Sequence, residues 1–416
     1  QTGQPGAMPG LNGYRKARVA ALIHRTSVRT LATALAIASS AVLCGCGQRQ
    51  PQPFDTGTPV MIGGDTHFGE NYARTGTPGA PAAALSDEQR YQGSLAALKP
   101  FAEHSAFALV NLETPMSPEL SDGLTDKDYV HWTIPAKAVP ALVAAGIDAV
   151  GLGNNHSYDQ GESGLRKSLV ALQQGGIRSF GANTSQSTAQ APLLQELTRP
   201  GGAKVMLAVF GMLEERPVYR DKYGFYAGTH RAGVAPVDLA GFRQQVAMLR
   251  KRYGDLYVVA YPHWGENYAW AKDGQVDLGR ELIDAGADIV IGQHGHTLQE
   301  IERYHGRWIL YGIGNFDFLA PGRYQRFAKI QPFSLIVRLS FGADPKAPPA
   351  VRLYPILSDN RTSGFRPRPA SATEATSVLS AIQSRRKSIG FDARLLVDDP
   401  LGPAFELRRR RWAGVW

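Results

Sequence analysis

Seven short apolar runs, near residues 59–64, 106–111, 147–152, 177–181, 204–211, 255–261 and 288–292, set the terms on which this chain can fold. Each has the length of a buried strand, and segments of helical period lie between them: Ala136–Ala145, Gly164–Gln174, Leu239–Tyr253 and Val276–Ala285. Such alternation predicts an α/β fold with parallel strands. The residues at the run ends are as telling. VMIGG leads to Asp65 and His67, AVGLG to Asn154, Asn155 and His156, LYVVAYP to His263, and DIVIG to His294 and His296. AFALV ends in Asn111 and Glu113. In an open α/β sheet, ligands bind beyond the carboxyl ends of the strands. Nitrogen and oxygen donors delivered to one edge therefore predict a metal centre.

From about Gln299 the pattern changes. Leu298–Tyr304, Trp308–Ile313, Phe333–Ser340 and Val351–Leu357 read as antiparallel strands, with His305-Gly306 as a hairpin turn. Parallel units followed by a meander predict a sandwich of two sheets flanked by helices. After Ser358 comes an Arg- and Pro-rich stretch with one helix near Glu374–Arg386. The expected division is a leader at 1–46, a tether at 47–58, the main domain at 59–360 and a C-terminal extension at 361–416.

The formal charge of +9 is misleading, because residues 1–45 hold five basic side chains (Arg15, Lys16, Arg18, Arg25, Arg29) and no acid. The rest carries 40 − 36 = +4, with no basic stripe interleaved with aromatics, so nucleic-acid binding is not expected. The basic leader precedes the apolar stretch Leu31–Leu43, the length of a signal-peptide core and short for a membrane span. Leu43-Cys44-Gly45-Cys46 resembles the bacterial lipobox with Cys46 as the acylated residue, since a small residue precedes it and Leu43 precedes Cys44. The alternative is an uncleaved anchor helix with two incidental cysteines. Gln1 is no initiator, so Met8 is the expected start. Gly47 stands where an inner-membrane retention signal has Asp, so a periplasmic face of the outer membrane is expected in a two-membrane bacterium. The polar, Pro-rich 47–59 segment reads as the tether.

Among the candidate ligands, Asp65-x-His67 is a weak signal alone, because such a pair is more often a surface loop. His294-Gly295-His296 is stronger, since residues i and i+2 share a side when extended. The remaining histidines, His24, His104, His131, His230 and His305, follow no strand run and are expected to lie outside the site.

Six blocks in order resemble the CapA proteins of poly-γ-glutamate capsule synthesis: Gly-Gly-Asp65, Asn111-Leu112-Glu113-x-Pro115, Asn154-Asn155-His156-x-x-Asp159-x-Gly161, His263-Trp264-Gly265, His294-Gly295-His296 and Tyr311-Gly312-Ile313-Gly314-Asn315-Phe316. The resemblance covers about 59–320 and implies a divergent calcineurin-like metallophosphoesterase, an αββα sandwich. It implies Asp65, His67, Glu113, Asn155, His263, His294 and His296 as metal ligands, with Glu113 at the bridging position. It gives His156 a proton-transfer role at the scissile phosphate. Asp159 is expected to support His156 from behind or to cap the following helix, and Asn315 and Asp317 to line the rim, unless the Gly314-Asn315 turn serves only the backbone. Three places depart from the family. Glu113 follows Asn-Leu rather than sitting in Gly-Asp-x-x-Asp, Gly295 replaces a proline, and Asn267 stands where a glutamate is usual.

The implied cofactor is one or two divalent transition ions. Mixed imidazole, carboxylate and amide donors suit Mn, Fe or Zn and do not select among them. Two function classes follow: a part of the poly-γ-glutamate or capsule machinery that binds an anionic polymer, or a metal-dependent hydrolase of a phosphoester. Members are commonly membrane-anchored, which agrees with the leader and places the protein in the cell envelope.

Overall fold

A computed structural model describes residues 56–70, 85–120, 124, 126–320, 324–327 and 330–408. The leader with Cys46 lies outside them. Strands β1 (Thr58–His67), β2 (Phe107–Leu112), β3 (Ala149–Gly151) and β4 (Arg178–Phe180) run parallel, side by side. The chain leaves this sheet through β5 (Ala182–Asn183). It then builds a second one from β6 (Leu193–Thr198) and β7 (Lys204–Leu213) and, after β8 (Gly233–Val234) pairs β5, from β9 (Leu256–His263), β10 (Ile289–Ile291), β11 (Ile301–Tyr304) and β12 (Arg307–Leu310). The order across it is β11-β12-β10-β9-β7-β6. The chain then returns to the first sheet with β13 (Asn315–Phe318), β14 (Phe333–Phe341), β15 (Ala350–Leu357), β16 (Arg368–Pro369), β17 (Ala393–Leu396) and β18 (Ala404–Leu407).

Alternation along the strands explains why two sheets stack. Val60, Ile62, Phe107 and Leu109 of the first sheet share one core with Leu207, Val209, Val259, Ile289 and Ile291 of the second. Their sequence neighbours face outward. Met61, Ala108 and Val110 pack with Leu142, Leu165 and Leu172 of helices Pro135–Ala144 and Gly161–Gln174. Ala208, Phe210, Val258 and Ala260 pack with Val246, Val276 and Leu282 of helices Leu239–Arg252 and Asp273–Asp284. Both faces of each sheet are apolar and covered, which is why these strands read as continuous runs. The expected αββα sandwich is present.

Two helices begin three residues before their apolar period does, at Gly161 and Asp273. Their first turns carry Glu162 and Asp273, acids that suit a helix N-terminus yet add no apolar periodicity. The expected meander is divided between the sheets. β11 and β12 form an antiparallel hairpin, but β12 also pairs parallel with β10 and finishes the second sheet. β14 and β15 pair antiparallel and extend the first sheet from β1. The His305-Gly306 turn has φ of 48° and 78°, as a tight hairpin requires. Past residue 360, β18 adds to the edge of β15 and β17 to β18.

Candidate metal centre

The carboxyl ends of both sheets meet at one place. In the first, Asp65 of β1 lies beside Asn111 of β2 and Asn315 of β13. In the second, His263 ends β9 and bridges to Gln293 beyond β10. The close approach of β1 to β13 needs glycine: a Cβ on Gly64 would lie 1.8 Å from the Gly314 carbonyl oxygen. That approach lets the Asp65 amide donate to Gly314 O at 3.0 Å and aims its carboxylate across the gap. Asn111 Nδ2 then donates to Asp65 Oδ1 at 2.8 Å.

Two groups of three donors form there, Glu113 with His263 and His294, and Asp65 with Glu113 and His296. Within each, the donor atoms lie within 4.8 Å of one another, and every residue is buried. In the first, His263 Nε2 stands 3.0 Å from His294 Nδ1, 3.4 Å from Glu113 Oε1 and 2.7 Å from Asn155 Oδ1. In the second, His296 Nδ1 stands 3.3 Å from Asp65 Oδ2, 3.9 Å from Glu113 Oε2 and 2.9 Å from Asn315 Oδ1. Glu113 serves both groups, and neither of its carboxylate oxygens has a hydrogen-bond partner among the described residues. A buried carboxylate left without donors is costly, and a cation would satisfy it. The donor set fits divalent ions.

His294 and His296 reach the centre differently from the sequence expectation. Their φ values are 87° and 54°, left-handed rather than extended, so the i, i+2 rule does not aim them. Such conformations cost about 1–3 kcal/mol each for a residue with a side chain and collect at functional sites. The amide of Tyr268 donates to Gly295 O at 2.8 Å and ties this turn to the loop after His263.

His67, expected as a ligand, belongs to neither group. It is fully buried, and its ring stacks on His131 with centroids 4.2 Å apart. His131 in turn stacks on His156 at 3.5 Å, with ring planes 10° apart. His131 therefore stands inside the site, contrary to the expectation that placed it elsewhere. The signal was absent because it sits on a loop with no strand run before it. That loop is held by paired hydrogen bonds between Ser117 and Thr133 and between Thr133 and Pro115. Lys127, from the same loop, was likewise not anticipated. His156 lies outside both donor groups, its Nε2 3.8 Å from Glu113 Oε1. Asp159 takes His156 Nδ1 at 2.6 Å, so it supports that ring; the helix cap is Gln160. Glu266 is exposed and pairs with Lys272.

Burial governs the charge states. It lifts Glu113 well above the usual carboxylate range, and neighbouring Asp65 lifts it further. It drives His294, His156 and His131 well below the ordinary imidazole value and His263 down to about 4. His296 is the exception: burial pulls it down, but Glu113 and Asp65 outweigh that and leave it raised. Neutral imidazoles keep the lone pairs that metal ligation needs. Burial raises Asp159 to about 6, with Lys127 opposing.

Asn315 meets His296, but Asp317 is no rim residue. Fully buried, it accepts from Ser94 Oγ at 2.7 Å, while its other oxygen has no partner among the described residues. Burial raises it from 3.8 to about 7, against the Ser94 hydrogen bond. The folded chain thus holds this proton more tightly than the unfolded chain does. The stability it supports is full below pH 3.8 and is lost as pH rises through about 7. Asp317→Asn should remove that slope, gaining on the order of 4 kcal/mol at pH 8 relative to the parent. Urea unfolding of both proteins at pH 5 and pH 8 measures it, and parallel pH dependences would refute it.

A family model described as bacterial capsule synthesis protein PGA_cap matches residues 59–319. The PGA biosynthesis protein CapA of Bacillus subtilis is 29% identical over 222 residues, 53% of this chain and 55% of that protein. A probable polyglutamine synthesis accessory protein of Mycobacterium tuberculosis is 33% identical over 226 residues, 53% of this chain and 58% of that one. The chain spans about half the length of these curated relatives. Among solved structures, the calcineurin-like phosphoesterase YfkN from Bacillus subtilis aligns with TM-score 0.43 and 14% identity, over 79% of this chain and 97% of that one.

Proposed function

Because this chain belongs to the family of bacterial capsule synthesis proteins PGA_cap, we propose that it works in building or exporting a poly-γ-glutamate-type capsule polymer and that a two-ion metal centre is its working part. One observation carries the second half: Glu113 is shared by two buried three-donor groups, with both its oxygens lacking a hydrogen-bond partner among the described residues. Asp65 and His296 would hold one ion, and His263, His294 and Asn155 the other, with Glu113 between them. His67 borders the site through its stack with His131 and is the weakest of the expected ligands. Mn, Fe and Zn all suit these donors.

A second reading gives the centre turnover, as a metal-dependent phosphoesterase acting on a phosphorylated small molecule or envelope polymer. The placement of His156 favours it, beside the donors yet outside both groups. Paired ions, when bound, neutralise phosphate oxygens and make a water nucleophilic at neutral pH. Glu113 and Asp65 would hold those ions and so set where a phosphate can bind. His156 Nε2, the ring nitrogen on the Glu113 side, would carry a proton to the leaving oxygen. The covered sheets on either side exclude bulk water from these groups.

We place the protein in the cell envelope, held by lipid on Cys46. Among the described residues no helix is long and apolar enough to cross a membrane. In the native host, Cys46→Ala should leave the membrane fraction, because diacylation anchors a protein firmly; unchanged membrane association rejects the anchor. Purified protein should carry one to two transition ions and, once loaded, hydrolyse a phosphomonoester or phosphodiester probe. Protein that takes up neither Mn, Fe nor Zn would end the metal reading. Loaded protein inert on every ester would leave the assembly role alone.

A further inference from the structure

We propose that Arg385 and Lys387 are positioning residues for the metal centre: from the C-terminal extension they hold the loop 264–272, to which the His294-Gly295-His296 turn is tied. The inference rests on the metal reading and adds a part of the chain that the reading does not use. The loop starts directly after His263 and passes through Tyr268, whose φ of 53° is left-handed. A residue with a side chain keeps such a conformation only where its surroundings over-determine it. Two ties come from the segment that carries the turn: Gly295 O accepts the Tyr268 amide at 2.8 Å, and Gln299 Nε2 donates to Ala269 O at 2.7 Å. The Tyr268 ring lies 5.7 Å from that of His296. The ties at Ala271 involve the extension. Glu300, fully buried, accepts the Ala271 amide on Oε2 at 2.9 Å and Arg385 Nε on Oε1 at 3.1 Å. Among the described residues Arg385 is the one cation within salt-bridge reach of Glu300. Its guanidinium also lies over the Trp270 ring, 4.3 Å from the centroid. Lys387 Nζ donates to Ala271 O at 2.6 Å and pairs with Asp273 at 2.9 Å. With side chains 36% and 34% exposed, these cations add little as ion pairs alone. What they do is fix the course of the loop, since the N–H and the C=O of Ala271 are both taken. The segment that carries them is itself anchored on the edge strand β11, where the Arg303 amide donates to Ile389 O at 2.8 Å.

The test is Arg385→Met and Lys387→Met in the full chain. Lys387→Met strips no buried acid of its partner, so it carries the test should Arg385→Met fail to fold. Hydrogen exchange is read first, in metal-free protein, by mass spectrometry. Peptides covering 264–272 should exchange ~10-fold faster in the variants, while those of the central strand β7 keep their protection. Mn titration follows. Affinity should fall ~10-fold, the lower end of what residues behind the ligands contribute, with the melting temperature of metal-free protein unchanged. Arg385→Lys keeps a cation on Glu300 and should recover part of the loss. Unchanged exchange at 264–272 overturns the proposal. Faster exchange in 264–272 and β7 alike also overturns it, since that marks a general loss of stability. A loosened loop with unchanged Mn affinity does so as well, because the loop then does not position the ligands. A parent protein that takes up neither Mn, Fe nor Zn overturns the metal reading instead, and the exchange alone then decides whether Arg385 and Lys387 hold the loop.

Discussion

Glu113→Gln is expected to lose both metal ions together, whereas His294→Ala should lose one and keep the other. The difference follows from the groups themselves: Glu113 stands in both, His294 in only one. A carboxamide offers one weakly basic oxygen where the carboxylate offers two charged ones, so neither ion keeps its anionic ligand from this position. Loss of a residue behind the ligands costs about 10–100-fold in affinity, and loss of a shared ligand should exceed that. Metal analysis after dialysis reads the result directly. Stability should move in the opposite sense when metal is absent. In the metal-free parent, burial and Asp65 oppose ionisation of Glu113, and no hydrogen bond compensates among the described residues. Metal-free Glu113→Gln should therefore melt at or above the metal-free parent, while the loaded parent melts above both, since an ion that binds only the folded chain stabilises it by mass action. A glutamine variant that retains two ions would remove Glu113 from the shared position.

His156→Ala should separate binding from turnover. The ring lies near Glu113 but in neither donor group, so its removal should leave metal content unchanged. If the centre is hydrolytic, kcat should drop ~10²–10⁴-fold, the usual worth of a positioned acid or base, equivalent to roughly 3–5 kcal/mol of barrier. Asp159 and Lys127 would then be left as a buried pair facing a gap, so melting temperature must be measured alongside. Capsule polymer output in the same variant distinguishes the two readings. Turnover lost with output intact shows that hydrolysis is not the biological task. Both lost, at unchanged metal content and melting temperature, shows that assembly runs through the chemistry of this site.

Much of this arrangement is a local property of the sequence. A run such as Val60–Ile62 is buried on both faces, so it must be apolar throughout, and that continuity is visible without knowing its neighbours. The end of such a run marks the carboxyl edge of a sheet. For that reason Asp65, His67, Asn111, Glu113, Asn154, Asn155, His156, His263, His294 and His296 stand out together in the sequence, and the resemblance to the capsule family selects the expected ligands among them. Tertiary structure decided what has no local period. His131 and Lys127 lie on a loop whose course is fixed by pairing with Pro115 and Ser117 and by Asp159, all distant enough in sequence to leave no trace in its own pattern. His67 lies on the same strand as Asp65, yet its ring stacks on His131 and joins neither donor group. The left-handed turn at His294 and His296 is tied to another loop by a hydrogen bond from the Tyr268 amide to Gly295 O. Strands β17 and β18 find their place only because β15 presents an open edge. Burial writes a repeating signal into each strand and helix. Loop courses, edge pairing and the aim of a side chain past the end of a strand are set by partners far along the chain, and only the folded molecule brings those together.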